Sequence, residues 1–321
     1  MKNKLKIGVV YGGKSAEHEV SLQSAKNVMS ALDKNKYTVV PIKINKDGKF
    51  NFSSLKKVDV IFPVLHGPFG EDGTMQGVFK EMGKPFVGSG VLGSALGMDK
   101  DVMKRLFMQA KIPIGKFITL KSTEKIDFNK AKKELGLPIF IKPANMGSSI
   151  GVNKVKNEKE FGVAIKEAFK FDNKILLEQF IEGKEIECAI LGNEFPMASV
   201  VGEIIPNQEF YSYNAKYIDD GYQIEIPAKI GKVTTKKVQE LAIKIFQTLN
   251  CAGLSRVDFF VTKKGSVYAN EINTLPGFTN ISMYPKLWEA TGLKQPVLMD
   301  KLIELALDRF ERESALKTSL K

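Results

Sequence analysis

The chain has 321 residues, 43% of them hydrophobic and 26% charged, a balance that excludes disorder and allows two or three packed domains. Its formal net charge of +12 is spread along the chain rather than blocked into a tail, which speaks against a nucleic-acid partner and suits a small polyanionic ligand. Two distant cysteines, Cys188 and Cys251, exclude a disulfide framework, and no apolar run reaches signal-peptide or membrane-spanning length, so a cytoplasmic location without a membrane partner is expected.

From Ile7 to about Met98, short apolar runs alternate with amphipathic stretches: Ile7 to Tyr11, a helix with Ala25, Val28, Met29 and Leu32 on one face, then Thr38 to Ile44 and Val58 to Leu65. This predicts an α/β domain over residues 1–98 with a doubly wound parallel sheet. Ligands collect where such strands end, so Gly12-Gly13 and His66-Gly67 are candidate site loops. The string from Gly8 to Ser15 matches the Walker A pattern GxxxxGK(S/T). It is not read as a phosphate cradle, because Val9, Val10 and Tyr11 are strand formers and only Gly12 to Ser15 remain for a loop.

A second region, residues 99–179, opens with a helix from Val102 to Gln109 that Pro113 ends. Strands follow at Phe117 to Leu120, Pro138 to Lys142, Gly151 to Val155 and Ile175 to Glu178, giving a small α+β domain. Between two of these strands lies Lys142-Pro-Ala-Asn-Met-Gly-Ser-Ser-Ile-Gly151. A run of small residues this long can lay backbone N–H groups and hydroxyls over phosphates, with Lys142 as a point charge; a tight loop without a ligand is the alternative.

The third region, residues 180–321, carries a helix with the apolar face Val238, Leu241, Ala242, Ile245, Phe246 and Leu249, and closes on a helix around Val297 to Phe310. Between them, Arg256 to Asn273 reads as a β-hairpin turning at Lys264-Gly265. With those two turn residues, Asp258 falls opposite Glu271 and Arg256 opposite Asn273, and period two puts all four on one face. Opposed carboxylates roughly 5 Å apart repel unless a cation bridges them. With Asn273 the donor set is all oxygen, which suits Mg²⁺ carried in with phosphate oxygens better than zinc, since the chain has only two histidines. On the hairpin alone, a solvent-facing carboxylate pair after a register slip remains an equal alternative.

Taken together, the segments GGKSAEHEVS (12–21), LHGPFGEDGTMQG (65–77), MDK (98–100), IKPANMGSSIGV (141–152), YSYNAKY (211–217), SRVDFF (255–260) and NEINTLPGFTNISM (270–283) resemble the D-alanine:D-alanine ligases in order and spacing. The resemblance spans about Lys4 to Asp308. It implies a three-domain ATP-grasp fold, with residues 99–179 as the lid and residues 180–321 as the domain of the metal site and an omega loop. ATP is the implied co-substrate and two Mg²⁺ ions the cofactors, with Mn²⁺ able to substitute. A homodimer is implied, and the small-molecule substrate is D-alanine, joined to D-alanyl-D-alanine for peptidoglycan. A D-alanyl-D-lactate ligase or another ATP-grasp carboxylate-amine ligase is the runner-up.

Residue by residue, the resemblance assigns Lys100 and Lys142 to the ATP phosphates and Ser148 and Ser149 to the loop closing over them. Glu178, Gln179, Phe180 and Ile181 are assigned to the adenine hinge, Glu185 to the ribose, and Asp258, Glu271 and Asn273 to the metal. Arg256 and the backbone near Gly277 are assigned to the oxyanion. Glu17, supported by His66, is assigned to the first D-alanine, and Ser282 with Met283 to the second. The omega loop, about Ile204 to Pro227, brings Lys216 and Tyr217, the latter bonded to Ser148 and Glu17; Asn214 departs from the glutamate common in the family.

Overall fold

The computed structural model describes residues 4–206, 222–317 and 319. Strands β1 (Leu5–Gly12), β2 (Tyr37–Ile44) and β3 (Val60–Leu65) form a parallel sheet in the order β2-β1-β3. The chain leaves β1 in both directions, the reversal that a doubly wound sheet requires, so the mouth of the sheet at the ends of β1 and β3 is where a ligand can approach. All six side chains of β3 are buried, as a continuous apolar run in a parallel sheet demands. Gly12 ends β1 at φ +93°, and a Cβ there would come within 2.2 Å of the Ile44 carbonyl, so only glycine lets the chain turn away here.

In the second sheet, β4 (Phe117–Lys121), β5 (Ile139–Pro143), β6 (Asn153–Val155) and β7 (Lys174–Gln179) pair antiparallel in the order β4-β7-β5-β6. Leu135 and Ala131 from one helix and Phe161, Ala164 and Ala168 from another complete its core with Ile139, Ile141, Ile175 and Leu177. Strand β6 starts two residues later than the apolar pattern suggests. Ser148, Ser149 and Gly151 all adopt left-handed backbone, which no strand accommodates, and the β5–β6 loop therefore runs to Val152.

In the third sheet, β8 (Lys184–Gly192), β9 (Met197–Pro206), β10 (Tyr222–Glu225), β11 (Gly253–Val261) and β12 (Val267–Asn273) are antiparallel in the order β10-β9-β8-β11-β12. The helix Lys232–Thr248 buries Val238, Ala242, Ile245 and Phe246 against it. Helix Lys100–Gln109 joins the same core through Met103 and Phe107. Its N-cap Asp99 accepts hydrogen bonds from the Asp101 and Val102 N–H groups, which starts the helix two residues earlier than expected and sets Lys100 and Lys104 one turn apart on one face.

The helix Gln295–Ser314 returns to the first sheet, placing Leu298, Met299, Leu302 and Ile303 in one cluster with Ile7, Val9, Val60 and Phe62. Arg309 secures it, donating to the Gly88 carbonyl and, at 3.1 Å, to that of Phe86, with its guanidinium 4.5 Å from the Phe86 ring centroid. We expect Arg309→Met to keep the apolar stem but forfeit about 2 kcal/mol of charge-assisted hydrogen bonding and cation–π contact. Urea unfolding of the purified variant checks this; a midpoint equal to that of the parent chain would show that the helix docks by apolar contact alone. Cys188 and Cys251 are free and buried, and burial pushes each thiol up to about 12. Among the described residues no helix is long and apolar enough to cross a membrane.

Candidate active site

The β11–β12 hairpin reaches its expected pairing by two offsets that cancel. Three residues, Lys263 to Gly265, form the loop instead of two: the Thr262 N–H donates to the Ser266 carbonyl at 3.0 Å and the Gly265 N–H to that of Thr262 at 2.8 Å, with Gly265 at φ +79°. The pairing near the turn is displaced accordingly, with Phe259 opposite Ala269. A bulge at Asn270 then restores the register, so Asp258 does lie opposite Glu271 and Arg256 opposite Asn273.

Strand β8 extends this row. Glu187 lies opposite Asp258 on its other side, so three carboxylates stand abreast on β8, β11 and β12. Basic groups hold them. Arg256 Nε and Nη2 donate to the two Asp258 oxygens at 2.8 and 2.7 Å, and Nε lies 3.1 Å from Glu187 Oε2. Lys100 Nζ lies 3.4 Å from Glu271 Oε2 and donates to the Met146 carbonyl at 2.7 Å. Burial opposes the charge on Arg256, but Asp258 and Glu187 outweigh it and hold the guanidinium well above its ordinary range.

Beside this row opens a pocket lined by Phe140, Lys142, Ser148, Ser149, Glu178, Gln179, Phe180, Ile181, Glu185 and Asp258. Phe180 stacks on Phe140 with ring centroids 6.0 Å apart, and the Lys154 ammonium sits 5.2 Å from the Phe180 centroid. Deeper in, Glu178 separates two buried lysines, at 2.8 Å from Lys142 Nζ and 3.1 Å from Lys104 Nζ. Burial acts against charge on all three groups. On Lys142 the Glu178 and Glu271 carboxylates prevail and raise its pKa, on Lys104 burial prevails and lowers it, and on Glu178 the two lysines prevail and lower it.

A second pocket is lined by Glu17, His66, Glu71, Arg256, Asn273, Gly277, Ser282 and Met283. The two pockets share Lys100, Gly147, Ser148, Glu187 and Glu271, and so meet at the tip of the β5–β6 loop. There the Ser148 hydroxyl donates to Glu17 Oε1, tying the loop to the segment just before helix His18–Ala31. Burial keeps the His66 pKa below its ordinary value despite the nearby Glu17, so the ring is neutral at neutral pH. Gly277 packs closely: a Cβ there would lie 3.0 Å from Ser282 Oγ and 3.8 Å from His66 Cε1.

Comparison with known proteins decides the family. The model described as D-ala D-ala ligase C-terminus matches residues 106–304, and that described as D-ala D-ala ligase N-terminus matches residues 6–55 and 51–89. The chain belongs to the D-alanine–D-alanine ligase family. A D-alanine–D-alanine ligase of Shouchella clausii is 48% identical, across 99% of this chain and 98% of that protein. Among solved structures, the VanG D-Ala:D-Ser ligase of Enterococcus faecalis has a TM-score of 0.86 at 38% identity, covering 95% of this chain and all of that one. The D-alanine–D-alanine ligase of Bacillus anthracis complexed with ATP has a TM-score of 0.83 at 31% identity, covering 96% of this chain and 99% of that one. The ATP-grasp architecture follows from these matches.

Every described residue assigned from the family pattern lines one pocket or the other, with Asp258 facing the first, Asn273 the second and Glu271 both. Lys216 and Tyr217, with Asn214, lie outside the described residues. Three charged groups escaped the sequence reading: Glu71, Lys104 and Glu187. Lys104 is one helical turn beyond Lys100, and Glu187 is two residues beyond Glu185 on the same strand face, so both periods carried a signal. Lys14, the Walker-like lysine, lines neither of these pockets; its ammonium lies 5.5 Å from the Phe69 ring centroid.

Proposed function

We propose that the chain joins two D-alanine molecules to D-alanyl-D-alanine through a D-alanyl phosphate, consuming ATP and releasing ADP and phosphate, for the making of peptidoglycan precursors. The observation that carries this reading is the junction of a pocket lined by Phe140, Phe180 and Lys142 with a pocket holding the buried Glu17 carboxylate and the half-buried Arg256, across Lys100, Ser148 and Glu271. A carboxylate does not acylate an amine at neutral pH, so the first step must activate it. An oxygen of the first D-alanine carboxylate attacks the γ-phosphorus of ATP and ADP leaves. Lys100 and Lys142 offset the phosphate charge while Ser148 and Ser149 cover the phosphates. The second D-alanine, its amine deprotonated, then attacks the acyl carbon, and phosphate leaves. Arg256 and the backbone near Gly277 stabilise the oxyanion, and Glu17 anchors the first ammonium beside neutral His66. Ser282 and Met283 receive the second amino acid, the hinge from Glu178 to Ile181 the adenine, and Glu185 the ribose.

The residues fit Mg²⁺. Among the described residues no group of three His, Cys, Asp or Glu side chains could hold a metal ion, so a cation here rests on Asp258, Glu271, the Asn273 amide and phosphate oxygens. An all-oxygen set of that kind takes Mg²⁺, with Mn²⁺ as substitute, and a divalent ion there neutralises phosphate charge. In this structure Arg256 and Lys100 are the cations beside those carboxylates. The reading extends to a homodimer in the cytoplasm, where two free, buried thiols are at home.

Phosphate release with ATP and Mg²⁺ tests the proposal, comparing D-alanine alone, L-alanine, and D-alanine mixed with D-serine or D-lactate, with products identified by mass. We expect D-alanine alone to sustain turnover, EDTA to abolish it and Mn²⁺ to restore it. Inactivity with D-alanine would refute the reading, and preferential formation of a D-seryl or D-lactyl product would move the chain to a different member of the family.

A further inference from the structure

We infer that Glu71 holds a proton in the ligand-free pocket and releases it to solvent when the ammonium group of an amino acid binds beside Glu17. This rests on the preceding reading that a D-alanine ammonium sits against Glu17. Glu71 is 9% exposed, and Oε1 accepts the Gly67 N–H at 2.8 Å, while buried Oε2 has no hydrogen-bond partner among the described residues. Gly67 is wedged against the second carboxylate as well, since a Cβ on it would come within 2.9 Å of Glu17 Oε2. Across the pocket, a Cβ on Gly147 would lie 3.2 Å from Glu17 Oε2 and 3.8 Å from Glu71 Oε1. Two buried carboxyls thus flank the same two glycines, and one of them keeps an oxygen without a hydrogen-bond donor among the described residues.

Among the described residues, the other groups facing Glu71 do not balance a charge on it. Lys100, from helix Lys100–Gln109, is nearest in charge but is shared with Glu271 of β12, which adds negative charge of its own. His66, beyond the end of β3, is kept neutral by burial. Burial first and Glu17 second push the Glu71 carboxyl up to about 8, against the pull of the Gly67 N–H and Lys100. At neutral pH the proton therefore resides on Glu71. An arriving ammonium supplies the absent positive charge, the O–H bond of Glu71 breaks, and the proton passes to buffer. Beside the two carboxyls the positive charge of the ammonium takes the place of the proton's, while the ligand brings its own carboxylate to the pocket as well. A Glu71 that merely braces the His66-Gly67 turn would release nothing.

Calorimetric titration of the full chain with D-alanine near pH 7, in phosphate and in Tris, reads the proton directly through the difference in buffer ionisation heat. We expect close to one proton released per D-alanine bound, and affinity that improves about tenfold per pH unit up to the Glu71 pKa and flattens above it. Glu71→Gln keeps an acceptor for the Gly67 N–H, and we expect it to bind D-alanine with no buffer dependence and no such slope. Turnover with D-alanine in a chain that shows no proton release, or equal release in parent and variant, would overturn the inference. Should Glu71→Gln fail to fold, the parent chain's buffer dependence and slope decide alone. Absence of both D-alanine binding and D-alanine-dependent turnover would instead refute the ligase reading.

Discussion

Arg256→Met is expected to lower kcat by about a hundredfold to a thousandfold, the typical cost of removing one donor to a developing oxyanion. The residue that would meet the oxyanion is also the one that keeps the carboxylate row folded. Its guanidinium spans Asp258 and Glu187, and methionine would leave both acids without their arginine in a buried setting. Breaking a buried pair from one side costs about 3–5 kcal/mol, so the melting temperature should fall along with activity. The two effects can be separated by pH. Asp258 and Glu187 hold the Arg256 charge in place only while they are themselves charged, so the stability that this pairing gives the parent, and with it the variant's deficit, should shrink at acid pH, whereas the kcat deficit should remain. Steady-state kinetics and thermal unfolding from mildly acidic to neutral pH measure both. A kcat within tenfold of the parent would remove Arg256 from the chemistry and leave it a structural clamp.

Lys142→Met should reduce kcat/KM for ATP by about a hundredfold, given ~2–3 kcal/mol for a hydrogen bond to a charged group in a buried site. Lys142 is aimed by Glu178, which holds its ammonium at 2.8 Å while Lys104 approaches the other carboxylate oxygen at 3.1 Å. The carboxylate proposed to line the nucleotide pocket is thus also the one that positions the lysine proposed to meet the phosphates. Lys14→Met provides the contrast. Its ammonium lies against the Phe69 ring rather than in the pocket of Lys142 and Glu178, and kcat/KM for ATP should stay within about twofold, the scale of a surface substitution. Loss of ATP use in Lys14→Met with retention in Lys142→Met would reverse the assignment and restore the Walker reading of residues 8–15.

The hairpin shows how the site could be legible in the sequence even where local detail was not. Period-two alternation put Arg256 and Asp258 on one face whatever the loop did, because that alternation belongs to a single strand. The facing residue was another matter: the three-residue loop displaced the pairing and the Asn270 bulge returned it. A strand's register is set by its neighbour and its loop, and neither is written in the strand itself. Glu71 illustrates a different limit. Its place in HGPFGEDG was visible, but its oxygen left unpaired among the described residues and its closeness to Glu17 depend on how the turn after β3 packs against the loop before helix His18–Ala31.

The sequence by itself determined the alternation of strands and helices, the faces that become core, and the motif order that marks the family. Each of these depends on residues near one another along the chain, where backbone geometry converts spacing directly into direction. Tertiary structure alone decided that Glu187, Asp258 and Glu271 stand abreast, that Glu178 aims two lysines, and that the last helix docks on the first sheet through Arg309. Those arrangements join segments far apart in sequence. Charges are mutually balanced only once burial removes water from around them, and nothing in a single segment records which partner will be there.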